Sequence, residues 1–158
     1  MSDQSINAPL KKGSVKSAWV WFEGATALKE GQGVCCNSDY GTDTDSDARR
    51  MNRVEMPSAD NKTFFAGVAA RNYSAKAGGQ MIEIYEPGSV CTILVAIGVS
   101  AVVGVTALEC TYVAGTFKAA TNNGKGVATA LQTITGGAAA LPCLAVLREG
   151  LPSVGLAD

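Results

Sequence analysis

Histidine is absent from all 158 residues. Without an imidazole the chain cannot form Ser-His-Asp or Cys-His catalytic sets, and every His-bearing metal site is excluded. Charge is scarce too. Asp, Glu, Lys and Arg make up 17% of the chain, against about 25% in an average soluble domain. Such a surface suits a protein that a partner covers, or a small β protein with a neutral exterior. The net charge of −1 gives no electrostatic case for nucleic acid, which demands clustered Lys and Arg. The basic clusters are only Lys11-Lys12 and Arg49-Arg50 with Arg53.

No charged residue occurs from Val90 to Leu108, nineteen residues in all. A membrane helix needs about twenty. Gly98 and Gly104 interrupt this run, β-branched residues dominate it, and no Lys or Arg flanks it to set an orientation. Two buried strands with a turn near Gly98 to Ser100 are expected instead of a membrane span. Met1 to Pro9 is polar and lacks the apolar core of an export signal, so synthesis in a cytoplasm is expected. Cysteines stand at 35, 36, 91, 110 and 143 without the two-residue spacing of a zinc knuckle or redox motif. Cys91, Cys110 and Cys143 lie in apolar runs, where a thiol behaves as a small buried hydrophobe.

What is present is β patterning. Hydrophobic residues form 47% of the chain and glycine occurs 18 times. Turn signals arrive about every eight to twelve residues, the rhythm of a barrel or sandwich. Strands are expected over Ser14 to Phe22, Gly33 to Cys36, Phe64 to Arg71, Met81 to Glu86, Leu108 to Val113, Thr116 to Ala120, Val127 to Thr135 and Leu141 to Arg148. From Phe64 to Cys91 the pattern reads strand, turn, strand, turn, strand: a β-meander. Ile82 and Ile84 face one side and Met81, Glu83 and Tyr85 the other. Glu86-Pro87-Gly88-Ser89 makes a Pro-Gly turn, and Asn122-Asn123-Gly124 signals a hairpin. Ala25 to Glu30 is too short to defend as a helix. Asn37 to Ser58 has no apolar period and reads as one long loop, of the kind that contacts a neighbour.

The fold class is therefore mainly β: a single small antiparallel β-barrel or sandwich, with an extended N-terminal arm over 1–13, a β-rich domain over 14–158 and a long loop at about 37–58. No internal repeat of fixed period is visible.

Candidate chemistry is thin. Asp43, Asp45 and Asp47 alternate as a calcium loop would require, but the sixth and twelfth positions hold Ala48 and Val54 instead of Gly and Glu. A solvated acidic turn is the simpler reading. Gly78-Gly79-Gln80 matches the tripeptide of translation release factors, yet it sits at the mouth of a strand without their basic surroundings. Gly124-Lys125-Gly126 lacks the earlier glycine and the Ser or Thr of a phosphate-binding loop. Trp19 and Trp21 share a strand face; core packing is the default, and an interface anchor is the sharper alternative. No catalytic residue, cofactor or metal is expected.

The segment Phe65-Ala66-Gly67-Val68, Tyr73, Gly78-Gly79-Gln80 and Ile82-Glu83-Ile84-Tyr85-Glu86-Pro87-Gly88-Ser89-Val90-Cys91 resembles the capsid cement, or head-decoration, proteins of tailed bacteriophages. The likeness is strongest over these residues and weaker from about Leu10 to the C-terminus. It implies a structural virion protein on the outer surface of the capsid, a homo-oligomer (trimer or dimer) that bridges subunits of the major capsid protein. Neither nucleic acid nor membrane is an expected partner. The expected contacts are Lys11 and Lys12 of the arm, Trp19, and Asp43, Asp45, Arg49, Arg50 and Arg53 of the loop. The alternative class is a carbohydrate- or ligand-binding β module displayed on a surface.

Overall fold

Alternation builds the strands. On β1 (Ser17–Phe22) Val20 and Phe22 point inward, and on β5 (Gln80–Tyr85) Ile82 and Ile84 do the same. The computed structural model describes residues 15–37, 52–58, 61, 64–111, 114–121 and 126–149, and its regular elements are all strands. Between β1 and β5 come β2 (Gly33–Cys36), β3 (Arg53–Glu55) and β4 (Phe65–Ala69). Five more follow: β6 (Val90–Val95), β7 (Ala107–Cys110), β8 (Phe117–Ala119), β9 (Ala128–Ala130) and β10 (Leu141–Leu147). The mainly β barrel expected from the sequence is what forms, closed as two small five-stranded barrels: β1-β3-β2-β4-β5 and β6-β8-β7-β9-β10. Closure leaves no open sheet edge in either.

The two barrels are copies of one design. Each contains one parallel pair, β1 with β3 and β6 with β8, and all other pairs are antiparallel. The register corresponds across the two barrels, although β2–β4 also carries a shift between Val34 and Cys35. Ser17↔Tyr85 through Phe22↔Gln80 in the first barrel becomes Val90↔Val146 through Val95↔Leu141 in the second. Cys36↔Val54 becomes Cys110↔Phe117, and Val68↔Tyr85 becomes Thr129↔Val146. Even the isolated bridge recurs, Leu28↔Tyr73 in one and Ala101↔Ile134 in the other. Loop hydrogen bonds follow: Gly31 N–H to Ala69 O (2.9 Å) is matched by Gly104 N–H to Ala130 O (2.8 Å). No repeat is visible in the sequence because paired positions share burial, not identity. β5 and the corresponding part of β10 have the same alternation of buried and half-buried positions, carried by QMIEIY and LPCLAV.

Three expectations fail for related reasons. Phe64 to Cys91 is not a three-stranded meander: β4 pairs with β5, but β6 pairs with β8 and β10. The Glu86–Ser89 turn forms, with Ser89 N–H bonded to Glu86 O at 3.1 Å, and it carries the chain from one barrel to the next. The strands flanking Asn122-Asn123-Gly124 do not make a hairpin, since β7 lies between β8 and β9; residues 122–125 themselves lie outside the described residues. Finally, the stretch read as one loop from Asn37 to Ser58 contains β3, whose single buried residue, Val54, is too little for any period to register. Likewise the uncharged run Val90 to Leu108 supplies β6, then a long turn, then the start of β7. Among the described residues no helix is long and apolar enough to cross a membrane.

The barrels have distinct cores that meet. Val20, Phe22, Leu28, Val34, Val54, Ile82 and Ile84 fill the first. The second holds Ile93, Val95, Leu108, Phe117, Cys143 and Leu147, and it also takes in Phe65 and Val68 from β4. Phe65 packs edge-on to Phe117, ring centroids 6.0 Å apart, a favoured aromatic geometry.

Candidate docking surfaces

The contact between barrels is built on a turn. Gly31 has φ of 82° and lies so close to β6 that a methyl group there would stand 2.8–2.9 Å from backbone atoms of Ile93 and Leu94. Only glycine satisfies both conditions. Its carbonyl accepts the Leu94 N–H at 2.9 Å, and Gly33 N–H donates to Gly115 O at 2.7 Å. The buried Gln32 side chain donates to Ala114 O at 2.6 Å and accepts from Lys29 N–H. At the linker, Ser89 Oγ accepts the Lys16 N–H at 2.8 Å and donates to Lys16 O at 3.0 Å. Every polar group named here is paired, as burial demands.

Beside this junction opens a cleft of about 640 Å³, walled by Leu94, Ala96, Ile97 and Val99, with Lys29 and Lys118 among its polar lining. Lys118 Nζ is 3.1 Å from Glu109, which offsets part of its charge. Among the described residues no aromatic side chain lines the cleft.

A second surface lies on the outside of the first barrel. Trp19 and Trp21 alternate with the core residues Val20 and Phe22, so both rings face outward. The default of core packing is thus overturned, because the inward face of β1 is already full. Trp19 is 55% exposed and Met81, across from Trp21 on β5, is 48% exposed. The Arg71 guanidinium lies 5.2 Å from the centre of the Trp19 ring and 5.6 Å from that of Tyr73. Arg71 Nε donates to Tyr73 Oη at 3.1 Å, and Tyr73 Oη accepts the Glu83 N–H at 2.7 Å. Hydrogen bonding from Tyr73 is the main reason that the Arg71 pKa is raised, with Glu83 contributing further. Trp, Tyr and Arg held in this way match the composition of interface anchors.

A third surface is the turn between β6 and β7. Val102, Val103 and Val105 are exposed, Val105 at 76%, as is Leu131, which follows the Ala130 whose carbonyl accepts the Gly104 N–H. Val103 N–H is held by Thr133 Oγ1 and Val102 N–H by Thr106 Oγ1, so the turn is fixed while its side chains face outward. The uncharged composition of this stretch was visible in the sequence; its exposure was not.

The remaining expected contact residues divide cleanly. Arg53 is on β3, ion-paired to Glu23, whose other oxygen accepts from Asn37; the pair is mostly shielded from solvent and ties the start of β3 to the ends of β1 and β2. Lys11, Lys12, Asp43, Asp45, Arg49 and Arg50 lie outside the described residues. The cysteine thiols are free, and Cys35, Cys91, Cys110 and Cys143 are buried. Burial pushes Cys35 and Cys91 up to about 12 and Cys110 well above the usual thiol range. These thiols stay protonated and serve as packing groups. Among the described residues no three His, Cys, Asp or Glu side chains gather as metal ligands.

Two joined five-stranded barrels with exposed aromatic and aliphatic faces define a β scaffold suited to docking. No protein-family model matches the sequence, and no curated protein sequence matches it. Among solved structures, the N base of the head fiber protein gp8.5 of bacteriophage phi29 shares the fold, with a TM-score of 0.53. The match covers 87% of this chain and 97% of that one at 14% identity.

Proposed function

We propose that this chain is a non-catalytic structural protein of a tailed-phage virion, docked on the outside of the head shell as a homo-oligomer. The observation that carries this reading is the likeness in fold to a phage head fiber base over nearly the whole of both chains. The segment from Phe65 to Cys91, which resembles the head-decoration proteins, supports the same role. Its partner is the major capsid protein. By binding the expanded lattice alone, the protein stabilises that lattice by mass action, and many modest contacts per shell add through multivalency. The Met1 to Lys12 arm and the polar 37–52 stretch contact the shell, with Lys11, Lys12, Asp43, Asp45, Arg49 and Arg50 as the touching side chains.

Mixing purified protein with expanded heads that lack it tests this directly. Saturable co-sedimentation is expected, with treated heads retaining DNA at higher temperature. Absence of binding at any protein excess overturns the proposal, and undiminished occupancy after deleting Met1 to Lys12 removes the arm from it.

The exposed Trp19 ring favours a second reading, a surface-displayed carbohydrate-binding module. Sugar rings stack on such aromatics, but here Arg71 lies over the ring and the cleft is lined by other residues. A glycan-array signal that Trp19→Ala abolishes would move the balance to this reading.

A further inference from the structure

The duplication makes the β6–β7 turn the counterpart of the turn that joins the barrels. Gly104, φ 68°, occupies the place of Gly31, φ 82°, and their N–H groups donate to matching residues, Ala130 of β9 and Ala69 of β4 respectively. Their surroundings are opposite. Gly31 is pressed against the backbone of Ile93 and Leu94, whereas nothing lies within 4 Å of where a side chain on Gly104 would begin. Composition is opposite too. The first turn reads Lys29-Glu30-Gly31-Gln32, with Gly31 and Gln32 buried and the two charged residues exposed, and the open turn reads Val102-Val103-Gly104-Val105, exposed throughout. The polar copy meets the other barrel within the chain, whereas the apolar copy is held by hydrogen bonds within its own barrel and keeps its valines exposed.

In the second barrel the receiving position is Leu94. Register places Trp21 at that point of the first barrel, since Leu94↔Pro142 corresponds to Trp21↔Met81. There the backbone is already satisfied: Trp21 N–H donates to Asn52 O at 2.7 Å. A visiting turn therefore cannot repeat the Gly31 hydrogen bond and must rest on side chains. Those side chains are Trp21, the exposed Trp19 and the exposed Met81, with the Glu23–Arg53 pair at the margin. An apolar centre inside a polar rim is the usual anatomy of an interface.

We infer that the Val102–Val105 turn of one copy docks on the Trp19–Trp21–Met81 face of a second copy, side chain to side chain and without the backbone bond that joins the two barrels within one chain. The contact is heterologous, one surface meeting a different one, so repeating it closes a ring of three or more copies or runs on as a filament. It names the interface of the proposed homo-oligomer and does not depend on what that oligomer binds.

Sedimentation equilibrium of the full chain without heads provides the test. A mass above that of the monomer is expected, with self-association about tenfold or more weaker in Val105→Asp, a change at an open position that puts a carboxylate into an apolar contact. Mixing Val105→Cys with Met81→Cys protein under mild oxidation should give a disulfide-linked pair that neither variant gives alone. A monomeric wild type, an unchanged Val105→Asp, or Val105→Cys cross-linking to itself as an isologous contact would each overturn the inference. Because heads are absent, failure here leaves head docking standing, and loss of head binding with an intact oligomer leaves this contact standing.

Discussion

The two barrels share strand order, register and bridges, yet they solve their interiors and exteriors differently. At the parallel pair the first barrel sets Phe22 beside Val54, and the second sets Val95 beside Phe117. The large and small residues have changed places, so the filled volume is kept while the shape is inverted, a class of change that cores tolerate. Outside, the first barrel carries rings and ion pairs (Trp19, Arg71, Glu83, Glu23, Arg53), while the second presents valines at its open turn. One scaffold thus supports two surfaces, because pairing and inward volume constrain only alternate residues.

The sharpest way to break this comparison is to truncate the two phenylalanines. Phe117→Ala is expected to cost about 4 kcal/mol and Phe22→Ala about 3 kcal/mol, because only Phe117 loses an aromatic partner from the other barrel as well. Urea melts read both; a larger loss for Phe22→Ala would end the claim that Phe117 serves both cores. Next come Gly33 and its counterpart Ala107. A methyl on Gly33 would collide with Cys110 Sγ and crowd Phe117 and Phe65 at 3.3 Å, so Gly33→Ala should destabilise by roughly 1–3 kcal/mol. Ala107→Gly should cost about 1 kcal/mol. Equal effects would mean that the barrels do not meet at Gly33.

The buried thiols of both barrels set a pH response. Cys35 and Cys91 hold their protons up to about 12 against 9.0 when unperturbed. The folded chain therefore binds more protons than the unfolded one above pH 9. Stability is full below that value and falls as pH rises toward 12. Denaturant midpoints flat from pH 6 to 8 and declining by pH 10 are expected; a rise over the upper range would contradict burial of these groups. The smallest effect belongs to Arg71→Ala. It should shift tryptophan emission through Trp19 with little change in the melting midpoint, since the Arg71–Glu83 contact is exposed and long at 3.8 Å. A large fall in midpoint would show that Arg71 is part of the scaffold.

Strands were legible wherever burial alternated over several residues. Leu141 to Arg148 contains β10, and Ile82 and Ile84 are buried as their spacing requires. The short strand β3 was not. It has one inward residue, too few to make a period, whereas β9 falls inside the strand expected over Val127 to Thr135 but is much shorter. Surface was read less well than core. Trp19 and Trp21 carried no local sign of facing outward, because alternation separates two faces without saying which is inside. The neutral stretch from Val90 to Leu108 was correctly read as β, but its exposed valines became visible only once the turn was placed.

Local chemistry alone thus dictated β structure, the turns at glycine and Pro-Gly, a catalytically sparse composition and the inward pair on β5, since each depends on residues close in the chain. Partner choice among strands was decided in three dimensions. β5 and β6 sit next to each other in sequence but belong to different barrels, and closing each ring of five satisfies edges that a continuous meander would leave open. Duplication, likewise, resides in register and backbone hydrogen bonds, which many unrelated side chains can accommodate.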